Sequence, residues 1–96
     1  MNDELLKLIS NPLVQGKRGE WQDYDVVIHY ASLWIPLAVD PFKPERGVWE
    51  WIDWSGTIPA ITRQGKLIIG TATRSWEGDP LTVLLKVFLW QKGIEI

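Results

Sequence analysis

The chain has 96 residues, of which 46% are apolar and 23% charged, and it carries a formal net charge of -2 and no cysteine. These values are typical of one globular domain with a modest core, and they exclude intrinsic disorder. The small net charge argues against DNA binding and DNA mimicry, and the absence of cysteine excludes disulfides, thiolate metal sites and cysteine nucleophiles.

The first predicted element is a short N-terminal helix. Apolar residues follow a possible N-cap at Asn2 or Asp3, and acidic residues occupy the first turn. The Asn11-Pro12 pair ends this segment, because the residue before a proline avoids the helical conformation. A polar connection with two glycines follows at 15–19.

Two extended segments come next. Residues 24–30 alternate between two faces and are rich in β-branched and aromatic side chains, which predicts a strand. Residues 33–39 continue this tendency, but Pro36 lacks the amide donor of a central strand, so this segment belongs to a sheet edge or an irregular crossing. Two prolines and four charged residues within 40–47 predict a loop.

The segment 48–54 contains three of the seven tryptophans, together with Glu50 and Asp53. In an extended chain successive side chains point to opposite faces, so Trp49, Trp51 and Asp53 would share one face of a strand. The other face is also largely apolar. We therefore predict a strand that is buried on one side and meets a partner or ligand on the other.

A β-hairpin is the most clearly indicated local structure. Residues 58–63 and 66–72 flank a two-residue Gln-Gly turn, whose glycine can adopt the positive φ of a tight hairpin. With this turn, Ile61 would lie opposite Ile68. Pro59 indicates that the first strand of the hairpin lies at an edge of the sheet.

The C-terminal part is predicted to form a loop at 73–78 and then a helix. Asp79 is a favourable N-cap and is followed by the proline preferred at the first helical position. Apolar residues in 80–92 repeat at helical spacing, and Gly93 supplies a left-handed C-terminus. A buried strand is the competing interpretation, because further apolar residues widen the apolar stripe.

The order of these elements predicts an α+β fold in a single domain covering residues 1–96. We expect a small, mostly antiparallel sheet of about four to five strands. A short N-terminal helix would precede the sheet, and a longer C-terminal helix would cover one of its faces.

The sequence offers few groups for catalysis. His29 is the one histidine, and its place within a predicted strand favours a structural role over that of a general base or metal ligand. The serines lack the context of a nucleophile elbow, and sequence-adjacent carboxylates do not establish a facing pair. We therefore expect no catalytic residues, no metal site and no cofactor.

Tryptophan side chains are the groups most suited to recognition. Each can remove about 150–250 Å² from water while keeping an indole donor. We expect Trp49 and Trp51 to offer accessible indoles and Trp76, in a polar loop, to be exposed. The predicted binding surface comprises these tryptophans and nearby charged residues: Trp49, Trp51, Trp76, Arg46, Glu50, Asp53 and Arg74.

Such a surface suits a non-enzymatic interaction module that binds another protein. One alternative is a protein that binds or sequesters a sugar or nucleotide-like small molecule on the same aromatic groups. Another is a homodimer formed through the tryptophan strand. Nucleic acid is the least favoured ligand, because the charge around the tryptophans is acidic.

The expected location is the cytoplasm. The N-terminus carries acidic residues where a secretion signal carries basic ones, and the longest apolar-rich segment, 81–90, is about half of the roughly 20 residues that a membrane span needs. In its general character the chain looks like accessory proteins of phages and mobile elements, including inhibitors of host defence. That likeness concerns the class of protein and implies no site.

Overall fold

The computed structural model describes residues 3–17, 27–30, 33–36 and 47–94. Within these residues helices and antiparallel strands occur together, and the predicted α+β class is confirmed. The elements in chain order are α1 (Asp3–Ile9), α2 (Pro12–Gln15), β1 (Val27–Tyr30), β2 (Leu33–Pro36), a 3-10 helix (Gly47–Trp51), β3 (Ile58–Ile61), β4 (Leu67–Gly70), β5 (Ser75–Gly78) and α3 (Pro80–Gln91).

The larger sheet has three antiparallel strands in the order β3-β4-β5, and β1 and β2 form a separate two-stranded antiparallel sheet. The prediction of one sheet with about four to five strands is therefore not matched. The difference arises mainly at the tryptophan-rich segment, which forms a 3-10 helix where a strand was expected. Residues 24–26 and 37–46, which were predicted as parts of strands and a loop, lie outside the described residues.

The predicted N-terminal helix is confirmed as α1, and a second short helix follows it directly. The Asn11 carboxamide accepts a hydrogen bond from the Leu13 amide at 2.9 Å, which caps the start of α2. The side-chain amide of Gln15 then donates to the carbonyl of Ile9 at 2.9 Å. The Asn-Pro pair therefore ends one helix and begins the next, and Gln15 ties the two together.

The predicted hairpin is confirmed, but its register differs by one residue. Ile61 lies opposite Leu67, and not opposite the isoleucine that follows it. The Gly65 amide donates to the Thr62 carbonyl at 3.0 Å, and the Thr62 amide donates to the Lys66 carbonyl at 2.8 Å. With Gly65 at φ +79°, the connection is a three-residue turn with a glycine bulge and not the predicted two-residue turn.

Strand β5 replaces the loop that was predicted at 73–78. The Thr71 amide donates to the Arg74 carbonyl at 2.7 Å, and the Thr71 hydroxyl accepts from the Arg74 amide at 3.0 Å. These bonds complete the turn by residue 74, so the chain pairs with β4 immediately afterwards. Trp76 then lies opposite Ile69 on the face of the sheet that points to the core.

Helix α3 confirms the helical interpretation of the C-terminal segment over the strand alternative. Its end is a Schellman motif, in which the Ile94 amide donates to the Leu89 carbonyl and the Gly93 amide donates to the Trp90 carbonyl, both at 3.0 Å. Gly93 has φ +82°, the left-handed conformation that this motif requires. In the described part of the chain, no helix combines the length and apolar character needed to cross a membrane.

The core is built around α3. This helix packs on β4 and β5 on one side and on α1 and the 3-10 helix on others. Such a position explains why its apolar residues extend well beyond a single stripe. The α3 residues buried in the core are Val83, Leu84, Leu85, Val87, Phe88 and Leu89.

Replacing Asp79 with alanine is expected to lower the free energy of unfolding by about 1 kcal/mol. The Asp79 carboxylate accepts from the amide and the hydroxyl of Thr82, at 3.2 and 3.1 Å, and so satisfies an unpaired donor at the start of α3. Urea denaturation measures the change. Asp79→Asn should retain most of the stability, and Glu77→Ala, at an exposed acid on β5, serves as the control. Equal stability of Asp79→Ala and wild type would contradict the cap.

Candidate functional site

Residues 48–51 of the tryptophan-rich segment lie in a 3-10 helix, and most of the segment is buried, so the predicted strand is wrong. In the structure Trp49 is 2% exposed and Trp51 is 9% exposed. A 3-10 helix has about three residues per turn. Residues 48–53 repeat with the same period, because two apolar residues are followed by one acidic residue, and this pattern occurs twice. Glu50 and Asp53, three positions apart, are the exposed members of this repeat. Burial leaves Trp49 and Trp51 without the accessible surface that the binding prediction requires.

Ring contacts show what the buried indoles do. Trp49 stacks on Trp54 with ring centroids 4.7 Å apart and an interplanar angle of 18°. The indole of Trp54 also donates to the Trp49 carbonyl at 2.9 Å. The ring of Trp51 packs against Phe88 of α3 with centroids 5.3 Å apart. These tryptophans join the 3-10 segment to the core.

Of the charged residues predicted around this segment, Asp53 has a structural role. Its carboxylate accepts a hydrogen bond from the Ser55 amide at 3.0 Å, and this bond lowers the pKa of Asp53. Gln91 of α3 holds the same residue through two bonds: its side-chain amide donates to the Asp53 carbonyl at 2.7 Å and its side-chain oxygen accepts from the Asp53 amide at 2.9 Å. Glu50 is exposed, and Arg46 lies outside the described residues.

The structure brings Trp76 and Arg74 together, but not in the way that was expected. Trp76 is 7% exposed, so the prediction of an exposed ring is wrong. Its ring meets Trp90 edge to face, with centroids 5.1 Å apart. The Arg74 guanidinium lies over the Trp76 ring, 4.9 Å from its centroid. The cation and the indole thus form one unit at the start of β5.

This unit lines a groove of about 420 Å³ between α1, β5 and α3. The groove has apolar walls from Leu8 and Leu89, which are almost fully buried, and from the half-buried Ile94. None of its lining residues comes from the tryptophan-rich segment. Among the residues of the predicted surface, Arg74 and Trp76 are therefore the two that the described structure places together in a concave site.

The rim of the groove is mainly basic. Lys7, Arg74 and Lys86 line it together with one acidic residue, Glu4. Glu4 forms an ion pair with Lys86. Among the described residues no carboxylate pairs with Lys7 or Arg74. An adjoining depression of about 380 Å³ shares Glu4, Trp76 and Lys86 with the groove and is acidic at its far end.

Strand β3 forms a second, different surface. All four of its residues, 58–61, are exposed, and we call them the β3 surface. Ile58 is 76% exposed and Ile61 is 39% exposed, whereas Ile69 on the neighbouring strand is fully buried. Ile58 and Ala60 point to the outer face of the sheet, on the side away from α3. Pro59 and Ile61 point to the same face as Ile69, but β3 lies at the edge of the sheet, beyond the strands that α3 covers. An uninterrupted apolar strand is therefore open to solvent.

The backbone at the free edge of β3 is partly blocked. The Thr62 amide donates to the Lys66 carbonyl, so residue 62 is hydrogen-bonded to the neighbouring strand. Hydrogen-bonded positions alternate along an antiparallel strand, so residues 58 and 60 also bond to β4. Residues 59 and 61 therefore direct their backbone groups outward. Position 59 is proline, which has no amide hydrogen to donate. The predicted edge position of Pro59 is confirmed, and its place in the ladder removes one of the two outward donors.

Comparison of the chain with protein families, with curated proteins and with solved structures finds no match. Within the described ranges, no group of three or more histidine, cysteine or acidic side chains is placed to hold a metal ion. The two surfaces were not predicted as such. Pro59 predicted correctly that β3 lies at an edge of the sheet. No sequence signal indicated which face of the sheet α3 would cover or how far it would extend. Lys7 joins the groove only because α1 packs against α3.

Proposed function

We propose that this protein is a non-enzymatic, cytoplasmic interaction protein that binds another protein through the β3 surface. The observation that supports the proposal is the exposure of Ile58, at 76%, on a strand whose four residues are all apolar and all exposed. Ile58 and Ala60 share the outer face of the sheet, and Pro59 and Ile61 lie on its other face, so the edge is apolar on both sides. Exposed apolar surface of this kind is typical of interaction sites. Such a protein acts by covering a surface of its partner, as accessory and inhibitor proteins do.

The backbone of β3 indicates how the partner binds. Strand addition to a sheet edge depends on main-chain hydrogen bonds, and Pro59 removes one of the outward donors that such pairing uses. Ile58, in contrast, is 76% exposed. The partner we expect is therefore a folded surface with its own apolar patch, and not an extended strand that lengthens the sheet.

The chemistry of the β3 surface restricts the partner further. None of its residues is charged, so the matching surface should be apolar at its centre. Covering one exposed isoleucine contributes about 1.5–3 kcal/mol, which makes Ile58 the expected centre of the interface. On the outer face of the sheet Ala60 lies opposite the half-buried Ile68, which extends the apolar area beyond β3.

The test identifies the partner and then measures its affinity. A photo-crosslinking residue, p-benzoylphenylalanine, is placed at exposed position 60 in cells that express the protein, and the crosslinked protein is identified and purified. Affinity for the purified partner is then measured by calorimetry. Ile58→Ser should weaken binding at least about tenfold, because it removes a central apolar contact. Leu13→Ser, at an exposed apolar residue of α2, is the matched control and should bind as wild type does.

Equal affinity of Ile58→Ser and wild type would exclude the β3 surface as the binding site. If crosslinks formed only between copies of this chain, the partner would be a second copy of the chain, and the proposal of a different protein partner would be overturned. Light scattering on the purified protein would then show a dimer that Ile58→Ser dissociates.

A further inference from the structure

We infer that the groove between α1, β5 and α3 binds a small organic carboxylate with an apolar body, such as an arylalkyl carboxylic acid. This inference is independent of the protein-binding proposal, because the groove and the β3 surface share no residue. It rests on three properties of the groove, which are its size, its apolar walls and its unpaired cations.

The size and walls of the groove suit a small apolar body. Its volume of about 420 Å³ falls within the range of about 300–1,000 Å³ that small-molecule sites occupy. Leu8, Trp76 and Leu89 are almost fully buried, so they are held in place by the core and form a preformed wall. Only narrow edges of these three side chains are exposed, so the half-buried Ile94 supplies the more accessible part of the apolar wall that a ligand ring would contact.

The charges indicate the polar group of the ligand. Lys7 and Arg74 lie on the rim without a carboxylate partner among the described residues, and Lys86 is already paired with Glu4. The two unpaired cations favour an anion. Because the Arg74 guanidinium lies over the Trp76 ring at 4.9 Å, its planar group is held beside the apolar wall. A carboxylate can then bond to Arg74 while its apolar body lies on that wall.

The adjoining depression sets the orientation. Glu77 and Asp79 line it, and Glu4 and Lys86 lie between it and the groove. A carboxylate at that end would meet like charges. The anionic group is therefore expected within the groove, which Lys7 and Arg74 line, and away from Glu77 and Asp79.

The experiment uses 3-phenylpropionate and its amide, 3-phenylpropionamide, as matched probes. Each is titrated into the full-length, isotopically labelled protein, and binding is followed by NMR shifts of backbone amides and of the Trp76 indole proton. The carboxylate should bind at least about tenfold more tightly than the amide, because bonds to charged groups are the stronger ones. The largest shifts should fall on residues 74–76 and on α1.

The variants Arg74→Gln and Lys7→Gln should each reduce the preference for the carboxylate several-fold. Because both side chains are exposed, signals of residues away from the groove should stay unchanged, whereas Arg74→Gln also alters the signals of Trp76, on whose ring Arg74 lies. Arg63→Gln and Lys66→Gln, at exposed positions of the hairpin turn, are the matched controls and should bind as wild type does. Equal binding of the two probes, or shifts outside the groove, would overturn the inference. Tighter binding of N-acetyl-alanyl-tryptophan than of phenylpropionate would also overturn it, because a protein C-terminus would then be the better ligand.

Discussion

Replacing Trp49 with alanine is expected to lower the free energy of unfolding by about 3–5 kcal/mol. Small domains have a total stability of about 5–15 kcal/mol, so the variant should be close to unfolding at room temperature. The cause is the loss of a ring that is 2% exposed and stacked on Trp54. Urea denaturation followed by tryptophan fluorescence and near-UV circular dichroism measures the change.

Glu50→Ala provides the control for this experiment, because Glu50 is the exposed neighbour in the same helical turn. Its stability should lie within about 0.5 kcal/mol of wild type. If Trp49→Ala instead kept the stability of wild type, the indole would lie at the surface, and the original prediction of an accessible tryptophan face would return.

Replacing Ile69 with alanine is the second large effect that we expect, with a loss of about 2–5 kcal/mol. Ile69 is fully buried between the sheet and α3, whereas its sequence neighbour Ile68 is half-buried on the outer face. Ile68→Ala, the same chemical change one residue earlier, should therefore cost clearly less. Comparison of the two midpoints of urea denaturation tests which face of β4 points to the core.

A reversed order of the two stabilities would mean that β4 presents its other face to the core. A shift of one residue moves every side chain of a strand to the opposite face. Both the predicted two-residue turn and the observed three-residue turn place Leu67 and Ile69 on one face of β4 and Ile68 on the other, so this pair of variants reports the orientation of β4.

The parts of the fold that were predicted correctly have local signals. Helix α3 begins at Asp79-Pro80 and ends at Gly93, and each of these residues acts within one turn of its own position. The hairpin was likewise predicted from a glycine. The register of the hairpin was not predicted correctly. A two-residue turn and a three-residue turn can both place Gly65 in the left-handed conformation, so the glycine alone does not distinguish them.

The tryptophan-rich segment was misassigned because two periods fit it. Alternation places large apolar groups on both faces of a strand, whereas a period of three places Glu50 and Asp53 together on one exposed face. Burial by α3 favours the second arrangement, and that contact involves residues far away in the chain. Strand β5 was missed because its four residues are too few for a clear alternation.

The candidate sites depend on tertiary packing to different degrees. Arg74 and Trp76 are two positions apart on an extended segment, and both had been singled out from the sequence. Their shared groove could not be predicted, because its opposite wall comes from α1 and α3. The exposure of Pro59 and Ile61 depends on how far α3 extends over the sheet, and that of Ile58 and Ala60 on which face of the sheet α3 covers, and no local pattern determines either.

Pro59 has a consequence for the behaviour of the protein at high concentration. A strand with exposed isoleucines at an open edge would ordinarily act as a template on which identical chains stack into fibrils. The missing amide hydrogen removes one of the backbone hydrogen bonds that such stacking needs, and the side chains stay exposed to solvent. We therefore expect this edge to pair less readily with identical chains than an edge with both outward donors would.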